Sequence, residues 1–302
     1  MVHAFFDFDD TLCSGDSILF RLRFYYRKRP ARRVFQIANG IGLAAFALRL
    51  IDSHALKRVF LWPMAFEDPA GLDRLAAEFV ATDLAARLHV PVLQRLWTHH
   101  LLGHKIVILS ASATFYLKHL KTFLPMADIQ GSEMIWPRGF AGLPRLPRYR
   151  DGNLRGENKL KRMRELGYGQ AGALAFAYSD HQHDRFLLDF SEFPVCVRPT
   201  RKLRDLAREK GWPVWDWDER GRPPKWKVLL GKLGLLLLAA GPGLPPTGSD
   251  PLREAAGARD YAPEQVRALR ARVEMRYPGG KPESVYRAIF GPREPVNAPR
   301  GP

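Results

Sequence analysis

The sequence predicts an α/β fold in which helices cover both faces of a parallel sheet, and three observations carry that prediction. Short apolar runs recur at Val2–Phe6, Lys105–Ser110, Ala173–Tyr178 and Pro194–Val197. Helix-like stretches follow two of them, at Thr114–Phe123 and Thr200–Lys210. Three of the runs also end in polar residues with chemical capacity, Asp7, Ser110 and Asp180. Strand alternating with helix is the pattern of a parallel sheet, and ligand sites in such sheets lie at the carboxyl ends of the strands.

The first run is the most informative. Val2, Ala4, Phe5 and Phe6 read as a buried strand, and Asp7-Phe8-Asp9-Asp10-Thr11-Leu12 follows directly. Side chains on a strand alternate, so Asp7 and Asp9 fall on one side and Asp10 on the other. Two carboxylates set close together at a strand end outline a phosphoryl-transfer site. The competing reading is an acidic cluster that ends a strand and solvates a turn, because Asp is a common turn residue.

The 302 residues exceed the size of a minimal domain and predict one domain with additions. Lys and Arg number 47 against 31 Asp and Glu, a formal charge of +16 that draws anionic partners: phosphate esters, anionic lipid headgroups or nucleic acid. No nucleic-acid-reading motif is present, so nucleic acid is not expected as a partner. Cys13 and Cys196 are the two cysteines, both in apolar surroundings, which argues against a disulfide framework and for a reducing cytoplasm. A strand beginning at the second residue leaves no room for a signal peptide ahead of it, so no export is expected.

Each strand end then supplies a group that phosphoryl chemistry uses. Asp7 is the candidate nucleophile, because attack of a carboxylate on phosphorus splits one hard displacement into two easier ones. Asp9 is the candidate acid and base, protonating the leaving oxygen and then taking a proton from water. Ser110 can offer its hydroxyl and the backbone N–H groups after it to the phosphoryl oxygens, and Lys159 can neutralise charge there. Asp180 and Asp184 can hold magnesium beside Asp7, since this hard cation prefers carboxylate oxygens. His181 and His183 flank the same loop and are read as solvated residues, with metal ligation as the alternative.

These motifs, Asp-Phe-Asp-Asp-Thr at 7–11, a strand ending in Ser110, Lys159, and Ser179-Asp180 with Asp184, resemble those of the haloacid dehalogenase superfamily of hydrolases. The resemblance covers residues 2–218. It implies a Rossmann-like parallel sheet (residues 1–16 and 89–218), a helical cap of the first type inserted at 17–88, and the order of parts of the phosphoserine-phosphatase-like subfamily. It also implies that Asp7 is the nucleophile and Asp9 the acid and base. Thr11 would support the loop, Ser110 and Lys159 would bind the phosphoryl group, and Asp7, the Asp9 backbone carbonyl, Asp180 and Asp184 would bind magnesium. True dehalogenases of the family lack the second Asp and its ion pumps carry Thr there, so Asp9 implies a phosphomonoesterase. Ser179 departs from the glycine that many members place before the metal-binding Asp, which puts the loop conformation in question.

The insertion bears on the substrate. No acidic residue occurs between Ser17 and Ile51, while Arg21, Arg23, Arg27, Lys28, Arg29, Arg32, Arg33 and Arg49 are basic and Phe20, Phe24, Tyr25, Tyr26 and Phe35 are interleaved. Val34–Leu48 is uncharged and too short to span a bilayer. The stretch 17–51 reads either as an interfacial element facing anionic lipid or as cap helices with an inward apolar face and solvated Arg residues. Beyond it, Pro137–Arg150 reads as an exposed loop or hairpin. The tail, 219–302, is rich in Pro, Gly and charge and is expected to be partly disordered, with helical stretches at 263–277 and 281–290. Its apolar segment 228–240, introduced by Lys225-Trp226-Lys227, is a second candidate for the membrane surface, placed with 225–240 on the inner face of the membrane. Two such segments beside one core give a layout similar to the phosphatidylglycerophosphatase C type of lipid phosphatase. A phospholipid headgroup monoester therefore competes with a soluble one such as phosphoserine or a sugar or polyol phosphate. A third reading is a membrane- or partner-binding module that keeps the site intact.

Overall fold

The computed structural model describes residues 2–168 and 174–216. The expectations for the tail, including 225–240, 263–277 and 281–290, lie outside these residues. The strands in chain order are β1 (Val2–Phe6), β2 (Lys105–Ala113), β3 (Ala127–Ser132), β4 (Met134–Ile135), β5 (Arg148–Tyr149), β6 (Leu174–Ser179), β7 (Phe193–Val197) and β8 (Val214–Trp215). Six of them form one parallel sheet in the order β3-β2-β1-β6-β7-β8. β1 pairs with β2 on one side and β6 on the other, so the chain reverses its direction of travel at β1. The crevice for a ligand opens at such a reversal.

Alternation along the strands covers both faces. Phe5, Val107, Leu109, Ala175, Ala177 and Cys196 pack to one side with Met163, Leu187, Leu188 and Leu203. Ala4, Phe6, Ile106, Ile108, Phe176, Tyr178, Val195 and Val197 pack to the other with Leu93, Leu96, Tyr116 and Leu117. A strand buried on both faces has to be apolar at consecutive positions, which is why these strands stood out as continuous runs. β3 and β8 did not stand out. Ala127–Ser132 is largely polar and β8 has two residues. The predicted helix at 114–123 is a short α6 (Thr114–Leu117) followed by a 3₁₀ turn at Lys118–Thr122. The loop at Pro137–Arg150 is closed at its base by β4 and β5, an antiparallel pair.

Between β1 and β2 run α1 (Ser17–Lys28), α2 (Phe35–Ala47), α3 (Ser53–Leu61), α4 (Pro69–Phe79) and α5 (Val90–Leu101). Asp16 caps α1 by accepting from the Ile18 N–H, and Asp52 and Asp68 cap α3 and α4 in the same way. The structure corrects one expectation here. Phe24, Tyr25 and Tyr26 do not face outward toward lipid but are fully buried in the core. Tyr25 Oη donates to the Pro63 carbonyl at 2.8 Å, and Asn39 Nδ2 donates to Tyr26 Oη at 2.5 Å. The rings are buried because the face of α1 that carries them packs against α3 and α4.

Arg21 is also fully buried, and its Nε, Nη1 and Nη2 find no hydrogen-bond partner among the described residues. Its guanidinium lies 5.6 Å, 5.6 Å and 5.7 Å from the ring centroids of Phe24, Phe79 and Phe115. Burial pulls its pKa down to about 10, so it stays cationic at neutral pH, stabilised in part by those ring faces.

Behind the sheet, α5 contributes a buried polar chain. His99 Nε2 lies 2.7 Å from Tyr178 Oη and its Nδ1 lies 2.8 Å from His104 Nδ1. Burial holds both rings neutral, His99 well below the usual imidazole range and His104 at about 4. Further helices complete the described fold: α7 (Glu157–Glu165), α8 (Arg185–Phe190) and α9 (Arg201–Lys210).

Candidate active site

The site forms where β1, β2 and β6 end. β1 stops at Phe6, and the Asp7 N–H continues the ladder by donating to the Tyr178 carbonyl at 2.9 Å, so the Asp7 backbone is held by the sheet itself. The chain then turns tightly, with the Leu12 and Cys13 N–H groups both donating to the Phe8 carbonyl. Asp10 adopts φ 59° and points out of the cluster, accepting from the Gly15 N–H at 3.1 Å. Gly15 has φ 86°, and a Cβ there would meet the Phe20 ring at 2.9 Å, so a side chain at this position would be strained.

Asp7 sits among core residues. Its Oδ1 accepts from Lys159 Nζ at 2.5 Å, and Thr11 Oγ1 lies 3.4 Å from its Oδ2. Lys159, in the first turn of α7, also donates to Asp184 Oδ2 at 2.7 Å. Thr11 Oγ1 is 3.3 Å from Asp180 Oδ1 as well, so the hydroxyl links Asp7 to Asp180. Asp7, Asp180 and Asp184 thus converge on one ammonium and one hydroxyl, all of them buried. Burial pushes the Asp7 carboxyl up to about 8; Lys159 opposes this, and Asp184 and Asp180 add to it. Burial alone would pull Lys159 down, but Asp184 and Asp7 more than reverse it. The Asp7 shift is thus set first by burial, and the Lys159 shift by the two carboxylates it contacts.

Asp9 sits in a different setting. Its Oδ1 accepts from the Ser17 N–H at the start of α1, at 2.9 Å, and its Oδ2 accepts from Ser112 Oγ at 2.5 Å. Ser112 Oγ and Tyr116 Oη lie 2.8 Å and 2.9 Å from Ser17 Oγ. Burial raises the Asp9 carboxyl to about 6, with Asp16 adding to the shift and Lys57, Ser112 and Ser17 opposing it. Lys57 belongs to α3, and its Nζ donates to the Ala111 carbonyl, one residue beyond Ser110, at 3.1 Å.

Ser110 is fully buried at the same edge, its Oγ accepting from the Ser112 N–H at 3.0 Å. The β2–β3 register shifts between Leu109 and Ala113, and this irregularity turns the Ser110–Ser112 segment toward the site. Gly131 on β3 makes room for it: a Cβ there would meet the Ser112 carbonyl at 2.8 Å. Ser179 answers the question its glycine substitution raised. Its hydroxyl donates to Asp184 Oδ2 at 2.7 Å and accepts from the His181 N–H at 3.3 Å, so it fixes the loop. His181 and His183 stack on each other at 4.5 Å, with the His183 N–H donating to His181 Nδ1.

The predicted residues therefore share one strand-end edge, with direct contacts among Asp7, Thr11, Lys159, Asp180 and Asp184. Sequence reasoning missed Ser17, Ser112, Tyr116 and Lys57. For Ser112 a signal existed, since Ser110 and Ser112 are two apart on one strand. Lys57 carried none, being one of several basic residues in a helical stretch.

Among the described residues no group of three or more His, Cys, Asp or Glu side chains is already spaced to enclose a metal ion. The reason is visible in the contacts: Lys159 Nζ lies between Asp7 and Asp184. The charge balance fits a cation nonetheless, because three buried carboxylates face one ammonium. Oxygen donors of this kind suit magnesium. A cavity of about 290 Å³ has Glu67, Phe115 and Trp136 in its walls, and none of the site carboxylates line it.

Comparisons with known proteins bear on the family and the fold. The family model of haloacid dehalogenase-like hydrolases matches residues 4–189. A histidinol-phosphatase of Neisseria meningitidis is 24% identical over 220 residues, covering 70% of this chain and 96% of that protein. A probable phosphatase of Mycobacterium tuberculosis is 25% identical over 217 residues, covering 70% of this chain and 74% of its own length. A Bordetella pertussis protein of unknown function superposes with a TM-score of 0.61 at 21% identity, over 72% of this chain and 99% of that one. A HAD family hydrolase of Salmonella enterica serovar Typhi gives 0.51 at 13% identity, over 80% of this chain and 72% of that one. With a model match spanning most of its length and every motif gathered at one sheet edge, the chain belongs to the haloacid dehalogenase-like hydrolases.

Proposed function

We propose that the protein is a magnesium-dependent phosphomonoesterase that works through an aspartyl-phosphate on Asp7. The observation that carries this reading is the unlike environment of two carboxylates two residues apart. Asp7 faces Lys159, and Asp9 accepts from the Ser17 N–H and the Ser112 hydroxyl, with its carboxyl raised to about 6. An acid that later serves as a base needs a pKa near the working pH, and Asp7, pushed up to about 8 by burial, needs positive charge beyond Lys159 to attack as a carboxylate.

In the first half-reaction a carboxylate oxygen of Asp7 bonds to phosphorus, the bond from phosphorus to the ester oxygen breaks, and Asp9 gives its proton to the departing oxygen. In the second, ionised Asp9 takes a proton from water as the water oxygen attacks phosphorus, which frees phosphate and restores Asp7. Lys159 and the Ser110 hydroxyl, with the N–H groups that follow it, offset charge on the phosphoryl oxygens, and Thr11 keeps the Asp7 side chain oriented. Asp7, the Asp9 backbone carbonyl, Asp180 and Asp184 are the residues that would hold magnesium, whose charge would keep Asp7 ionised. Residues 17–88 act as the cap, through which Ser17 and Lys57 reach the Asp9 side of the site.

For the substrate, the exposed apolar face of α2 favours a phospholipid headgroup monoester. The Neisseria relative named a histidinol-phosphatase favours a soluble metabolite ester. A phosphate-release screen with magnesium across lipid and soluble monoesters, run beside Asp7→Asn, tests the reading. Release that needs both Asp7 and magnesium supports it. Full release by Asp7→Asn refutes the chemistry, and no release from any ester leaves a binding module with an intact site. Turnover of soluble esters alone removes the lipid substrate.

A further inference from the structure

α2 is built inside out. Val34 is 64% exposed, Ile37 69%, Ile41 65%, Leu48 71% and Leu50 74%. The first four recur at helical spacing and share one outward face with Gly40 and Ala44. The polar residues of the helix point the other way: Asn39 is fully buried against Tyr26, and Gln36 is half-buried. A surface helix of a water-soluble domain shows the opposite arrangement, and a contiguous outward apolar stripe marks a surface built to contact something apolar.

The rim of the stripe identifies what it meets. Arg32 and Arg33 lie half-buried in the turn that leads into α2, the Arg32 guanidinium 4.6 Å from the Phe66 ring centroid, Arg49 is exposed just beyond its end, and no acidic residue occurs between Ser17 and Ile51. An apolar face bordered by cations fits a layer that is apolar below and anionic above. A second copy of the chain would set Arg32, Arg33 and Arg49 against their own equivalents, on molecules each carrying a formal +16. The chain's own apolar stretch at 228–240 is preceded by Lys225 and Lys227 and contains Lys232, so it brings the same sign of charge to the rim. Among the described residues no helix is long and apolar enough to cross a membrane, which matches a helix lying in the headgroup layer. We infer that α2, with Arg32, Arg33 and Arg49, docks the protein onto an anionic phospholipid surface. The inference goes beyond the proposed chemistry, because it concerns where the catalyst sits and not what it cleaves.

The test is co-sedimentation of the full chain with phosphatidylcholine vesicles and with vesicles of phosphatidylcholine and phosphatidylglycerol mixed two to one. Hydrolysis of a soluble ester and size-exclusion chromatography run alongside. Wild type is expected to bind the anionic vesicles, to bind the neutral ones far less, and to lose binding as salt is raised. Ile37→Glu/Ile41→Glu, at two exposed positions, is expected to weaken binding roughly tenfold or more while soluble-ester turnover is unchanged. Arg32→Gln/Arg33→Gln/Arg49→Gln should reduce binding and flatten the salt dependence. Three results would overturn the inference: wild type that ignores anionic vesicles, an Ile37→Glu/Ile41→Glu protein that binds them as wild type does, or a wild-type oligomer that this variant splits. Failure of the phosphatase reading shows separately, as absent hydrolysis beside intact vesicle binding.

Discussion

Asp7 and Asp9 leave the same strand two residues apart, and their surroundings differ in kind. Asp7 is held by the sheet core: Lys159 from α7, Thr11 from the turn, and Asp180 and Asp184 beyond β6. Asp9 is held where the helical insertion meets the end of β2, by the Ser17 N–H and the Ser112 hydroxyl with the charge of Lys57 nearby. Asp7 touches a charged ammonium directly, whereas Asp9 touches a neutral N–H and a hydroxyl. The difference teaches how a single strand end supports two roles, because burial raises both carboxyls and the partners then decide how each one titrates.

The largest effect should come from the core side. Asp7→Asn keeps the shape and removes the nucleophile, so kcat is expected to fall on the order of 10⁴-fold or more, read by phosphate release. Asp9→Asn should cost about 10²- to 10⁴-fold, and in kcat/KM, which reports the first half-reaction, the loss should be greater for alkyl esters than for an aryl ester whose leaving group needs no proton. Equal losses for both esters would erase the distinction between the carboxylates.

Smaller effects sharpen the Asp9 side. Ser112 and Lys57 both favour the ionised form of Asp9. Ser112→Ala and Lys57→Met should therefore raise the Asp9 pKa above about 6 and move the alkaline limb of kcat/KM to higher pH. The same profile for both variants and wild type would show that neither group addresses Asp9.

A region that serves neither carboxylate should affect stability and not rate. His99 and His104 are neutral in the fold, with His104 depressed to about 4 from an ordinary 6.5. A depressed folded pKa means that the unfolded chain binds more protons once the pH drops below about 6.5. The stabilising contribution is complete above that pH, declines as the pH falls, and is gone below about 4, on the order of 3 kcal/mol for His104. Thermal denaturation should show a steep loss of Tm between these values that His104→Gln makes shallower, with turnover little changed.

What could be read from the sequence follows the same division. The core side was legible because a strand buried on both faces is a continuous apolar run, and a strand end carrying Asp7 or Asp180 advertises itself. β3 was missed because Ala127–Ser132 lies at a sheet edge and is largely polar. The Asp9 side was mostly illegible, since Ser17, Ser112 and Lys57 meet only through the packing of the insertion on the end of β2. Composition also misled within the insertion. α1 carries four basic residues among its aromatics and α2 carries no charge, yet α1 buries Phe24, Tyr25, Tyr26 and even Arg21, while α2 turns Ile37 and Ile41 outward. The phase of each helix against its neighbours decides this, and a residue count does not contain the phase.

The central claim, that Asp7 carries phosphate while Asp9 manages protons, is tested most directly by trapping the covalent state. Asp9→Asn given a labelled aryl phosphate and magnesium, then quenched in acid, should hold the label on the peptide containing Asp7, because the first half needs no acid and the second lacks its base. Hydroxylamine should release that label. An unlabelled protein, or label on any other residue, would contradict the account.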